Sequence, residues 1–66
     1  MMAAQHLMMG TVLFADEESI LLADRTLFLV PAGMHLPHYR AGISLVIEYE
    51  IVEGRNILAH VPEVRE

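Results

Sequence analysis

Aliphatic and aromatic residues alternate with mostly polar ones along residues 43–52, which read ISLVIEYEIV. Successive side chains of a β-strand point to opposite sides of the sheet, so a period of two indicates a strand that buries one face. We therefore predict a strand here. Its expected inward side chains are Ile43, Leu45, Ile47, Tyr49 and Ile51.

A tight reversal is predicted directly after this strand, where Glu53, Gly54 and Arg55 precede the aliphatic stretch NILAHV. Glycine favours turns, so the two apolar stretches are expected to pair as a hairpin with a three-residue loop. This register sets apolar residues opposite one another on one face and a carboxylate opposite a histidine on the other. The predicted pairs are Ile51 with Ile57, Tyr49 with Ala59, Ile47 with Val61, and Glu48 with His60.

An earlier pair of apolar stretches, SILLA and TLFLV, flanks Asp24 and Arg25 and predicts a second hairpin with a two-residue loop. The predicted pairs are Leu22 with Leu27 and Ile20 with Leu29 on one face, and Leu21 with Phe28 and Ala23 with Thr26 on the other. Both faces are apolar, whereas a strand with one face in water shows alternation. We therefore expect a second layer of protein over the hairpin, either another copy of the chain or the methionine-rich N-terminal segment. The expected interface residues are Leu21, Ala23, Phe28 and Val30.

The remaining pattern completes a small all-β domain. Residues 9–15 predict a first strand, with Val12 and Phe14 on one side and Leu13 on the other, and Pro31 ends the third strand because proline cannot donate to a ladder. The polar stretch of residues 31–42 is expected to form a loop whose Leu36 plugs one end of the domain. The predicted strands span about residues 9–15, 19–23, 26–30, 43–52 and 56–61.

Closure of these five strands into a small antiparallel barrel, of the oligonucleotide-binding or the SH3-like type, removes exposed strand edges. Residues 9–62 are thus expected to form one domain. Residues 1–8 are expected to be a flexible or partner-covering segment, and residues 63–66 a tail.

Composition limits both the stability and the partners of this domain. A chain of 66 residues buries a limited share of its surface, and without cysteine it has no disulfide, so a metal, an unusually apolar core or self-association has to support the fold. The hydrophobic content of 55% argues against intrinsic disorder. The formal net charge is −5, with four arginines and no lysine, which disfavours nucleic acid as a partner.

The compartment is predicted from targeting signals. No apolar run approaches the roughly 20 residues of a membrane helix, and the N-terminus lacks the basic start and apolar centre of a secretory signal. The chain as it stands is therefore expected in the cytoplasm, away from membranes. A mature domain whose signal peptide had been removed would instead belong in the periplasm.

One testable site is a cluster of thioether and imidazole side chains. Met34, His35 and His38 lie together in the predicted loop, and His6 and Met9 lie near the first strand. Thioether and imidazole ligands without thiolate suit Cu(I) or Ag(I). The alternatives are that the loop histidines face water on either side of Leu36, or that they sense pH.

The residue patterns predict a protein that is not an enzyme. The chain has no cysteine nucleophile, its two serines do not lie in a glycine-rich elbow, and no phosphate-binding glycine loop is present. Side chains fill the interior of so small a barrel and leave little room for a substrate pocket. We expect no catalytic residues and, unless copper binds, no cofactor.

Several turn and core positions resemble a family of short, uncharacterised bacterial proteins, many of them secreted. The matching pieces are GTV at residues 10–12, the acidic turn at Asp16, LVPAG at residues 29–33, Leu36, Gly42, and EYEIVEGRNILAHV at residues 48–61. The resemblance covers about residues 10–61 and implies a five-stranded barrel with no assigned activity. Asp24 and Arg25 stand where the family has Asp-Gly, and the N-terminus shows no export signal. In size and in methionine and histidine content the chain is also similar to small periplasmic copper-carrier barrels, although it lacks their tryptophan.

These observations lead to two hypotheses. The first is a non-enzymatic small barrel that self-associates, most simply as a dimer, and serves as an interaction or structural module. The second is a Cu(I) or Ag(I) carrier that uses the methionine and histidine side chains named above.

Overall fold

A computed structural model describes residues 5–65, and this part of the chain forms six β-strands and no helix. The strands are β1 (Gln5–Ala15), β2 (Ser19–Leu22), β3 (Leu27–Leu29), β4 (Ser44–Val52), β5 (Arg55–Leu58) and β6 (Glu63–Arg65). The first five correspond to the predicted strands. The expected bounds of the domain, residues 9–62, are corrected, since residues 5–8 belong to β1 and are not a flexible segment, and residues 63–65, expected to be a tail, form β6. The rest of the expected N-terminal segment lies outside the described residues.

The first five strands close into a barrel. Their order around it is β1-β2-β3-β5-β4, and a pairing of β4 with β1 completes the circuit. β3 and β5 are parallel, the other neighbours are antiparallel, and β6 pairs with β4 outside the circuit. The run β4-β1-β2-β3 is a Greek key. The predicted small all-β barrel is therefore confirmed, although its strand directions are mixed, and its order is that of the Greek-key, oligonucleotide-binding type.

A single cluster of side chains fills the barrel. It consists of Val12, Ile20, Leu22, Phe28, Tyr39, Leu45, Ile47 and Leu58, none of them more than 4% exposed. Tyr39 comes from the loop of residues 30–43, where its hydroxyl donates a hydrogen bond to the carbonyl of Pro62 and burial raises the pKa of its phenol. Leu36 of the same loop packs against the cluster, as expected. The loop therefore contributes to the core although much of its sequence is polar.

The β2–β3 hairpin turns through residues 23–25 rather than through Asp24 and Arg25 alone. Arg25 adopts a left-handed conformation with φ of 76°, and its N–H donates to the carbonyl of Leu22. The side chain of Asp24 accepts a hydrogen bond from the N–H of Thr26 at 2.9 Å, which lowers the pKa of the Asp24 carboxyl. This geometry is that of a three-residue loop, in which a type I turn ends in a left-handed residue.

The extra loop residue shifts the register of this hairpin by one, and such a shift exchanges the two faces of a strand. Ile20 pairs with Phe28, and Leu21 pairs with Leu27. Phe28 therefore points into the core, where it is 0% exposed, and Leu27 points outward. The predicted pairs of Leu21 with Phe28 and of Leu22 with Leu27 are wrong for this reason.

The β4–β5 hairpin has a shorter loop than predicted. Glu53 and Gly54 alone form the turn, with φ of 51° and 77°, as in a two-residue type I′ turn. Tyr49 consequently pairs with Leu58 instead of the predicted Ala59. The core position that the prediction gave to Ile57 is therefore taken by Leu58.

A β-bulge in β1 lies between Val12 and Phe14, two residues that were predicted to share one side of the first strand. An extra residue in one strand reverses the alternation of the side chains that follow it. Val12 is consequently buried in the core, whereas Phe14 is 56% exposed on the outer surface.

The left-handed conformation of Arg25 provides a test of the β2–β3 loop. A residue with a β-carbon is strained in this region by roughly 1–2 kcal/mol, and glycine is not. We expect Arg25→Gly to raise the free energy of unfolding, measured by urea denaturation, by about 0.5–1 kcal/mol, since the more flexible unfolded chain offsets part of the gain. The control Arg25→Ala keeps the β-carbon and is expected to give no such increase. Equal stabilities of the two variants would contradict the three-residue loop.

Candidate interaction surface

Three large apolar side chains lie side by side on the outer surface of β1, β2 and β3. Phe14 pairs with Leu21, and Leu21 pairs with Leu27, so the three form one row across the sheet. Phe14 is 56% and Leu27 46% exposed, while Leu21 between them is half-buried. The same strands supply core residues from their other side, so this part of the sheet is apolar on both surfaces.

Leu29 and Ile57 continue this surface across the parallel pairing of β3 with β5, where they lie directly opposite each other. Both are half-buried. Ile57 points outward because the next residue, Leu58, points into the core. We use the term hairpin face for the set Phe14, Leu21, Leu27, Leu29 and Ile57.

One end of the hairpin face, next to the β2–β3 loop, carries two of the four arginines of the chain. Arg25 and Arg55 line an open depression there together with Leu27. Asp24 and Glu53 lie close to them along the chain, so positive and negative groups are mixed at this end.

The other end of the hairpin face is acidic. The β1–β2 turn carries Asp16, Glu17 and Glu18 in succession. The N–H groups of Glu18 and Ser19 donate to Oδ1 of Asp16 at 2.8 and 2.9 Å, and these bonds lower the pKa of Asp16. The Asp16 carboxyl is therefore ionised at neutral pH, and the two ends of the hairpin face differ in charge.

One of the four residues expected to form the interface, Leu21, belongs to the hairpin face. Phe28 is 0% exposed in the core, which corrects its expected place in the interface, and the cause is the register of the hairpin. Val30 packs against the core, and Ala23 is exposed within the loop.

Leu27 and Phe14 were not expected at an interface. Leu27 would have been found by assuming a three-residue loop, because that register turns it outward. The outward orientation of Phe14 depends on the bulge in β1. The sequence gives no signal for this bulge, because no glycine lies at that position.

Glu48 and His60 meet on the outer surface as predicted, although the observed register sets Glu48 opposite Ala59 and not directly opposite His60. Oε2 of Glu48 lies 2.8 Å from Nε2 of His60, and the two side chains are 37% and 68% exposed. Together with Leu7, Val46 and Val61 they line an open depression. A pair this exposed contributes at most about 1 kcal/mol to stability, so we interpret it as a cross-strand surface contact.

The five candidate copper ligands are not brought together. His6 lies near the start of β1, where its ring stacks on that of Tyr49 with 5.3 Å between centroids, and Met9 is in the same half of the strand. His38 instead lines a depression with Ala15, the last residue of β1. The two histidines therefore lie towards opposite ends of β1, a strand that rises about 3.3 Å per residue.

The loop residues do not converge on one point either. His35 and His38 line different depressions, Leu36 lines both, and the side chain of Met34 packs against the core. Within residues 5–65, no group of three or more histidine, aspartate and glutamate side chains is placed to hold a metal ion. Copper binding at His35 and His38 stays a prediction.

Neither a protein family, nor a curated protein, nor a solved structure matches this chain. The resemblance to short bacterial barrel proteins therefore stays an expectation. Along residues 5–65, no helix has the length and apolar character needed to cross a membrane.

Titration with Cu(I) under reducing conditions, against a competing chelator, tests the loop as a metal site. A site there requires a dissociation constant below about 1 μM that rises at least about tenfold in the double variant His35→Ala with His38→Ala. The control His6→Ala with Met9→Ala is expected to bind as the wild type does, because these residues lie in the other half of β1. Weaker binding, or equal effects of the two double variants, would exclude a loop site.

Proposed function

We propose that the protein is a non-enzymatic interaction module that forms a dimer through the hairpin face. The observation that carries this proposal is the uncharged row of Phe14, Leu21 and Leu27, which is exposed on the reverse side of strands that form the core. Full burial of a large apolar side chain is worth about 1.5–3 kcal/mol, so a partner that covers the row gains binding free energy from each of its members.

A second copy of the chain is the occupant that fits best. The other candidate was the methionine-rich N-terminal segment. Residues 5–9 of that segment are part of β1 and pair with β4, so they do not lie over the hairpin face. Met9 is itself 59% exposed on the outer surface of β1. This placement favours a cover that comes from another molecule.

The distribution of charge supports a two-fold arrangement. When two hairpin faces pack with their strands antiparallel, the arginine end of each copy meets the acidic turn of the other. A two-fold axis repeats this contact, so each dimer contains it twice. The parallel arrangement sets one acidic turn against the other. This contact is unfavourable because the two turns repel each other, in chains whose net charge is already −5. The groups that meet in the favoured arrangement are Arg25 and Arg55 of one copy, with Asp24 and Glu53 beside them, and Asp16, Glu17 and Glu18 of the other.

Nucleic acid, which barrels of this Greek-key type often bind on the β2–β3 side, fits the hairpin face less well. Binding of single strands requires stacking groups and cations along the groove. The hairpin face offers one aromatic side chain, Phe14, and one of its ends is acidic. The hairpin face of a second copy offers apolar contact area to the row and charged groups to both ends.

Leu27→Lys tests the hairpin face directly. Lysine at this position removes apolar contact area and places a charge in the proposed interface, so we expect the dissociation constant of the dimer to rise at least about 100-fold. Analytical ultracentrifugation and light scattering measure this change. The substitution makes the net charge of −5 less negative, so dissociation could not be attributed to stronger overall repulsion.

Val64→Lys is the matched control, because Val64 is 54% exposed, comparable to the 46% of Leu27, and lies on β6 outside the barrel circuit. We expect it to leave the dimer intact. A wild type that is monomeric at tens of micromolar, or equal effects of the two substitutions, would overturn the proposal. Phe28→Glu, in contrast, is expected to unfold the chain, since Phe28 is 0% exposed.

A further inference from the structure

The first half of β1 has an open edge. Residues 5–11 pair with β4 on one side, whereas β2 pairs with the other side only from Val12 onward. The bond from the N–H of Ala23 to the carbonyl of Thr11 marks the point where the contact with the β2 side begins. Within residues 5–65, no strand pairs with the second edge of residues 5–10.

The backbone groups of Leu7 and Met9 point to this open edge. Val12 donates its N–H to the carbonyl of Ile43 and accepts the N–H of Gly42 at its own carbonyl, so its backbone groups face β4. The direction of these groups alternates from residue to residue in an antiparallel ladder. Residues 6, 8 and 10 therefore bond to β4, and residues 5, 7 and 9 face the open edge.

This segment lacks the features that normally protect an open edge. Residues 5–10, which read QHLMMG, contain no aspartate, glutamate, lysine, arginine or proline, and the bulge of β1 lies later in the strand. Leu7 is 71% and Met9 59% exposed. The free side of β6 carries Glu63 and Arg65, and charges of this kind discourage pairing. Of these two edges, that of β1 is therefore better suited to the addition of a strand.

We propose that the open edge of β1 pairs with the same edge of a second copy, in an antiparallel ladder centred on Leu7. This goes beyond the dimer proposed above, because it uses a separate surface of the barrel. In this register Leu7 lies opposite Leu7 of the other copy, and Gln5 lies opposite Met9. Each residue whose backbone faces the open edge thus exchanges two hydrogen bonds with its counterpart.

The neighbouring groups favour this register and this occupant. A register centred on Met9 would require the carbonyl of Thr11, which already accepts the N–H of Ala23. An antiparallel pair of identical strands is two-fold symmetric and closes on itself. The segment contributes none of the nine acidic residues of the chain, so two copies of net charge −5 meet here without like charges in the ladder.

Two self-complementary surfaces on one chain predict an assembly larger than a dimer. The hairpin face joins copies through the outer surface of β2 and β3, and the β1 edge joins them at the other half of β1. Copies that use both contacts form closed tetramers or longer chains, depending on how the two symmetry axes are oriented.

Leu7→Pro tests the edge while sparing the barrel. Proline removes an N–H that faces the open edge and leaves the hydrogen bonds between β1 and β4 in place. We expect ultracentrifugation and light scattering to give a mass above that of a dimer for the wild type and the mass of a dimer for Leu7→Pro. The control Leu7→Thr keeps the N–H and is expected to keep the larger assembly. Circular dichroism of dilute samples checks that each variant folds.

Combination with Leu27→Lys separates the two surfaces. We expect Leu27→Lys alone to give a dimer held by β1 and the double variant to give a monomer. A wild-type dimer that Leu27→Lys dissociates and Leu7→Pro does not change overturns the β1 pairing and leaves the hairpin-face dimer standing. A wild-type dimer that only Leu7→Pro dissociates supports the β1 pairing and overturns the hairpin-face dimer. A monomeric wild type, or an assembly that neither substitution changes, overturns both.

Amide hydrogen exchange in the wild type gives a second readout that does not depend on a variant. The N–H of Met8 bonds to β4 and is expected to exchange slowly at every protein concentration. The N–H groups of Leu7 and Met9 are expected to exchange at least about tenfold more slowly in concentrated than in dilute samples. Fast exchange of the Leu7 and Met9 N–H groups at all concentrations, with slow exchange of the Met8 N–H, would overturn the β1 pairing. This readout holds even if Leu7→Pro fails to fold.

Discussion

The register of the β2–β3 hairpin determines which side chains fill the barrel, and the rest of the structure follows from it. Both faces of this hairpin are apolar, so burial alone does not distinguish them. The loop does, because the left-handed Arg25 and the bond from Thr26 to Asp24 lengthen the turn by one residue. Phe28 consequently enters the core and meets the ring of Tyr49 edge to face, with 5.0 Å between centroids.

The same register places the shortest pairing of the barrel beneath the hairpin face. β3 and β5 are joined by the single pair Leu29 and Ile57, and the side-chain amide of Asn56 adds a hydrogen bond to the carbonyl of Leu27 at 3.2 Å. So small a domain has little stability to spare, and an open seam would expose two strand edges. The apolar cover proposed for Leu27, Leu29 and Ile57 would keep water away from this seam. The proposed association would in this way support closure of the barrel.

The strands were predictable from the sequence because a period of two and the turn residues between them are local signals, and Leu36 was correctly expected against the core. The registers were not predictable in this way. In both hairpins a residue with a β-carbon, Arg25 or Glu53, takes a left-handed conformation that sequence reasoning reserves for glycine. Because outward positions follow from register, only Leu21 of the hairpin face was anticipated. Tyr39 was missed in the core because its loop carries no periodic pattern.

Barrel closure also explains why β1 keeps an open edge. β2 has four residues against the eleven of β1, so it pairs with only part of that strand. It ends where Leu22 packs beneath Gly10, since a β-carbon at position 10 would lie 2.5 Å from Cδ1 of the buried Leu22, and this close approach favours glycine. Beyond this crossing, β4 is the one strand among residues 5–65 that pairs with β1. A circuit of short strands around one long strand leaves one edge of the long strand free along residues 5–10, and the proposed pairing with a second copy would cover this edge.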